Sequence, residues 1–133
     1  MVIPITARSA VMLQNALSRS GGRRMTHEDV MQMLAETEIP FAYDHFAEGE
    51  NPEPPFICYL IPGSNNFAAD GKVYFRINQV RIELYTDSKD LAVERKMEMV
   101  LDESGIFYNK SEVWIQSEKL YEVLYSFEVP FTD

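Results

Sequence analysis

The residues that could carry chemistry are few and scattered. Cys58 is the one cysteine, set inside the apolar run FICYLI, which favours an inert core thiol over a reactive one. His27 falls in the first turn of an expected helix and His45 follows Asp44 near a strand end. They are too far apart in sequence to form a metal site unaided, and both are expected at the surface. Glu118, Glu122 and Glu128 could in principle pair as general acid and base, although a solvated sheet face accounts for them more simply. Trp114, Tyr121 and Tyr125 read as sheet packing before they read as a ligand cage. No GxSxG elbow, GxxxxGK loop, GxGxxG turn or HExxH helix occurs, and no Cys/His cluster has zinc spacing. No catalytic residue, cofactor or metal is therefore expected.

The element that must organise these residues is Val73–Leu101, a strand running into an amphipathic helix. Apolar side chains alternate at Val73, Phe75 and Ile77 and then, one residue out of phase, at Val80, Ile82 and Leu84, which predicts a bulge or bend near Asn78. Asp87 or Ser88 is placed to cap a helix starting near Lys89, and Asp90 adds charge at its positive end. Ala92, Val93, Met97, Val100 and Leu101 form its apolar stripe, with Glu94, Arg95, Glu98 and Asp102 expected to point away.

The chain of 133 residues suits one domain. No apolar run approaches the roughly 20 residues that span a bilayer, so no membrane contact is expected. Residues 1–24 hold four arginines and no acid, leaving eight basic against twenty-one acidic side chains, a formal −13, on residues 25–133. So acidic a body repels nucleic-acid phosphates and argues against a DNA-reading surface. The basic extension ends in SRSGGRR and shows weak helical periodicity. It resembles a transit peptide only superficially, and reads more readily as an added or upstream-start extension, with Met25 an alternative start, or as an arm reaching a neighbour.

Beyond it, Thr26 and Asp29 have capping-box spacing and Val30, Met33, Leu34 and Thr37 make one stripe, predicting a helix over about 27–38. Phe41 and Tyr43, with His45 a further candidate, follow Pro40 as a short strand. EGENPEPP, holding Glu50 and Glu53, is an exposed acidic loop, and FICYLI a buried central strand. GSNNFAADG, with Asn65, Asn66, Phe67 and Asp70, reads as a polar turn whose aromatic either folds onto the core or anchors a partner. Gly105 can end the second helix, Asn109-Lys110 reads as a turn, and Val113 and Ile115 start a strand. Val123, Tyr125, Phe127 and Val129 alternate in a last strand ending at Pro130, one long and aromatic enough to need a neighbour. The expectation is an α+β domain over 25–133: a largely antiparallel sheet of four to five strands with two helices on one face.

Over residues 25–131 the Pro-led first strand, FICYL, NNFAADGK, IELYTDSKD with its following helix, and EKLYEVLYSFEV together resemble the tail terminator, or tail-to-head joining, proteins of long-tailed bacteriophages and prophages. That resemblance implies a virion subunit without a reaction: a ring, usually of six, that caps the tail-tube protein, docks to head-completion or stopper proteins and lets DNA through its lumen without sequence-specific binding. On this reading the two loops, with Glu50, Glu53, Asn65, Asn66, Phe67 and Asp70, are assembly surfaces. Residues 1–24 exceed the family's usual start. The alternatives are another head–tail connector or minor tail subunit, and a small ligand-binding or enzymatic domain with Glu118, Tyr121 or His45 in a pocket on the uncovered sheet face.

Overall fold

The protein is described from a computed structural model covering residues 25–69 and 72–131, with the side chains of 65–69 and 72–76 left undescribed. Helix α1 spans His27–Glu36, strand β1 Phe41–Tyr43, β2 Phe56–Ala69, β3 Lys72–Thr86, helix α2 Leu91–Glu103, β4 Asn109–Ile115 and β5 Leu120–Pro130. The expected capping box opens α1: Asp29 N–H donates to Thr26 Oγ1, and Thr26 N–H to the Asp29 carboxylate. Asp90 caps α2 by accepting from Val93 N–H, in place of Asp87 or Ser88, because the first helical residue is Leu91. Gly105, at φ +68°, ends α2 as expected, with Ile106 N–H bonded to the Leu101 carbonyl and Gly105 N–H to that of Asp102.

The five strands lie in the order β1-β2-β3-β5-β4, antiparallel except for β1 beside β2. Parallel neighbours cannot be joined by a tight turn, so the Pro-rich stretch over 44–55 serves as their crossover. One face of the sheet presents the rows Ile57–Leu84–Val123 and Tyr59–Ile82–Tyr125 to both helices, which add Val30, Met33, Leu34, Met97, Val100 and Leu101. Met25 closes one end of this core: it is buried, its N–H donates to the Pro130 carbonyl, and it pairs with Phe131.

Four expectations change. The register shifts lie on either side of Asn78 and not at it: Leu60 pairs with Arg81 and Gly63 with Gln79, so Ile61 and Pro62 stand opposite Val80 alone, and a second shift falls between Phe67 and Ala68. Pro62 has no N–H to give a ladder, and a bulge accommodates it. β3 meanwhile pairs with β5 without interruption from Ile77 to Thr86. The phase change in its sequence therefore marks the two faces of one continuous strand, with Ile77 on the side of Gln79 and Arg81. Second, residues 63–69 are strand, since β2 continues past the bulge to Ala69 against β3. Third, Asn109 and Lys110 open β4 and form no turn. Fourth, β5 finds both neighbours within its own chain, between β3 and β4, so among the described strands the edges are β1 and β4. Residues 1–24, the expected extension, lie outside the described residues, as does Asp70.

Stability should be concentrated in the covered face. We expect Ile82→Ala, at a wholly buried position, to cost about 2–5 kcal/mol. Met99→Ala, on the outer face of α2, should cost less than about 0.5 kcal/mol. Equal losses in chemical denaturation would show that the core is elsewhere.

Candidate assembly surface

The face of the sheet turned from the helices carries a polar cluster in its middle and a groove of mixed polar and apolar lining at one side. Arg81, Glu83 and Tyr85 alternate along β3, and β5 brings Glu122 opposite Tyr85. Arg81 Nε donates to Glu83 Oε2 at 2.8 Å, while Tyr85 Oη lies 2.9 Å from Glu83 Oε1 and 3.0 Å from Glu122 Oε2. Arg81 Nη2 approaches Glu122 Oε1 at 3.7 Å. Phe56 stacks on the Tyr85 ring with centroids 5.0 Å apart. Burial, then the two carboxylates, raise the Tyr85 pKa far above the ordinary phenol range, so the hydroxyl stays protonated and donates. The two carboxylates share the donors of one phenol and one guanidinium.

Beside this cluster a groove of about 520 Å³ runs between the β2 bulge and the β4 edge. Its floor includes Arg81, Leu124 and Ser126, and its walls Pro62, Gln79, Phe107 and Asn109. Phe107, at 77% exposure, is the most solvent-exposed large apolar side chain among the described residues. Among the described residues β4 pairs only with β5, and all but its last residue are exposed. Val113 and Trp114 stand open on it, the indole 4.8 Å from the Tyr121 ring.

On the helix side β4 is held by charge. Glu94, expected to face solvent, is 1% exposed beneath it. Its carboxylate oxygens lie 2.8 Å from Lys89 Nζ and 2.8 Å from Lys110 Nζ, ion pairs by distance whose angles fall outside hydrogen-bond geometry. Lys110 also donates to Glu98, which accepts from Tyr125 Oη, and Lys89 reaches Glu112. Burial pushes the Glu94 pKa up and the two ammonium groups together push it further down, leaving it below the ordinary carboxyl value. For Lys110, burial lowers the pKa and Glu94 and Glu98 raise it more; Lys89 is raised chiefly by Glu94. The periodicity itself pointed to Glu94, which is in phase with Met97 and Leu101 at i+3 and i+7. Its charge argued the other way, and the lysines that neutralise it come from the loop before α2 and from β4.

The other expected site residues are dispersed. Glu50 and Glu53 are exposed on the crossover loop. Asn65, Asn66 and Phe67 occupy β2 positions paired with Ile77, Arg76 and Phe75. His45 is exposed, Nδ1 2.9 Å from Asp44, whereas His27 is half-buried with Nε2 2.8 Å from Tyr59 Oη, against the surface expected of it. Its ring packs edge-on to Tyr43 and Tyr59, which explains the difference. Glu118 sits in the β4–β5 turn, Glu122 in the polar cluster and Glu128 opposite Gln79, so the three do not converge. Tyr125 is core, as expected of a packing aromatic. Among the described residues no His/Cys/Asp/Glu group could hold a metal, and no helix is long and apolar enough to cross a membrane.

Two outcomes test this reading. A carboxyl depressed in the fold stabilises it above the unfolded value of about 4.3, and that contribution is lost as pH falls through the folded value. The raised lysines contribute fully below about pH 10.4 and lose their effect only above it. We expect Glu94→Gln to cost about 1–2 kcal/mol at pH 7, less than breaking a fully buried pair because both ammoniums reach solvent. The gap to wild type should narrow below about pH 4; a gap that widens in acid would contradict the assignment. Burial, then Glu83, Asp44 and Glu122, push the Cys58 thiol up to about 11. Iodoacetamide should therefore modify it at neutral pH at least about 100-fold more slowly than free cysteine, and a comparable rate would mark a reactive thiol.

Compared with known families and curated proteins, the chain matches no family model and no curated sequence.

Proposed function

We propose that this chain is a structural subunit that closes into a ring, most simply of six, on the end of a phage tail tube, ending tube growth and presenting a surface to head-completion proteins. The observation that carries the reading is the open side of the sheet. Among the described residues two helices cover one face, while the opposite face, its groove and the edge strand β4 carry no covering element. The resemblance of residues 25–131 to tail terminators supports the next subunit and the tube beneath as partners. The acidic body suits a ring through which DNA passes without being held, since phosphates are repelled. The self-satisfied polar cluster suits a scaffold better than a reaction centre.

A formal −13 on each body opposes closure of free subunits at low salt, and a tube end would template the ring. Light scattering across ionic strength should show mass rising with salt, and electron microscopy of purified tails should show a ring at one end. Tails of normal, defined length assembled without this protein would overturn the proposal.

A further inference from the structure

The two described edges of the sheet differ in how well they could take another strand. β1 has three residues, follows Pro40 and runs into the Pro-rich crossover, the kind of short edge that resists pairing. β4 is the opposite case: seven residues, no proline, and an unshifted register against β5 from Asn109 to Ile115. Lysine commonly guards such an edge, but Lys110 is drawn down onto α2 by Glu94 and Glu98. Phe107, Val113 and Trp114 are exposed along the same edge, and no described element covers them.

The sequence of β4, NKSEVWI, is complementary to its own antiparallel copy. Main-chain groups point alternately to either side of a strand, so two copies bond only where residues of the same parity are opposed, and the two-fold axis then passes through one residue. With the axis at Lys110 or Glu112, like charges stand directly opposite each other about 5 Å apart, which is unfavourable. With the axis at Val113, Lys110 and Glu112 face Gln116 and Trp114, and Phe107 is left uncovered. With the axis at Ser111, Lys110 of each copy stands opposite Glu112 of the other and Asn109 opposite Val113. The flanking residues then bring Phe107 to Ile115 and Tyr108 to Trp114. We propose that free subunits pair two-fold through β4 in this Ser111-centred register, joining their two sheets into one. About nine residues a side take part, few against the roughly 20–30 of a stable interface, so the pair exchanges and does not persist on dilution. Lys89, Glu94, Glu98, Lys110 and Glu112, linked in each copy, sum to a formal −1, so salt tightens the pair. Each copy has one such edge, which makes the pair closed, and a polar ring must use a different contact. The inference goes beyond the ring reading and does not rest on it, since it concerns the subunit before it reaches a tail.

The test uses full-length chains in a Cys58→Ser background, at about 0.5 M salt to screen repulsion between bodies. Residues opposed across such a pair have Cα atoms about 4.5–5.5 Å apart, within disulfide reach. Under mild oxidation Ser111→Cys, on the axis, should link to itself at least about 10-fold more than Met99→Cys, an exposed control on α2. Asn109→Cys and Val113→Cys should each link poorly alone and well when mixed, a pattern that only this register gives. In the unsubstituted chain the emission of Trp114, the single tryptophan, should shift with concentration while the scattering mass rises towards that of two chains. Ser111→Cys linking no more than the control would overturn the proposal, whatever else occupies the edge. So would Val113→Cys linking best with itself, or an emission independent of concentration. Rings on tail ends without the Ser111→Cys link would sink the pair and spare the ring. A linked pair with no ring on tails would do the reverse.

Discussion

Among the described residues two helices cover one side of a five-stranded sheet and none the other, and much else in this protein follows from that constraint. The rows through Ile57, Tyr59, Val80, Ile82, Leu84, Val123 and Tyr125 are apolar because α1 and α2 exclude water from them. The opposite face lies open, and its central residues reach low exposure only by clustering: Glu83 is nearly buried because Arg81 and Tyr85 cover and bond it. A sheet built this way has one finished side and one side whose chemistry is polar, satisfied and available for contact.

Charge completes what apolar packing leaves undone at the β4 edge. β4 contributes almost nothing to the core, so its attachment depends on the β5 ladder and on Lys110, which joins it to Glu94 and Glu98 of α2. Burying Glu94 without two ammonium groups would be prohibitive, and with them the carboxylate becomes a fixed point between helix and strand. That fixed point holds a seven-residue edge in place without covering it, which an edge needs if it is to receive a partner strand.

Much of this was legible in the residues. Thr26 and Asp29 announced α1, Gly105 the end of α2, and the alternation from Val123 to Val129 the inward face of β5. Those signals are local, depending on a cap, a left-handed glycine or a two-residue period. The failures were non-local. Whether GSNNFAADG turns or extends depends on β3 being long enough to pair with it, and the bulge at Ile61–Pro62 exists only relative to a partner strand. Glu94 sat in the apolar phase of its helix, yet its burial could be inferred only by knowing that Lys110, sixteen positions on, would arrive above it. The candidate surface was harder still. An edge strand and a groove are relations among elements, and the residues singled out for assembly, Glu50, Glu53 and Asn65 to Phe67, belong to a loop and a ribbon on different parts of the chain.

The bridge between Met25 and Phe131 carries a consequence of its own. The backbone enters and leaves the described body side by side, with Met25 N–H bonded to the Pro130 carbonyl. Closeness of this kind is what circular permutation requires. Joining the two points with a short linker and opening the chain at the exposed turn between β4 and β5 would preserve every core contact while moving both ends to the far side of the subunit. Any appended label would then emerge away from Phe131, giving two opposed vantage points on the same fold.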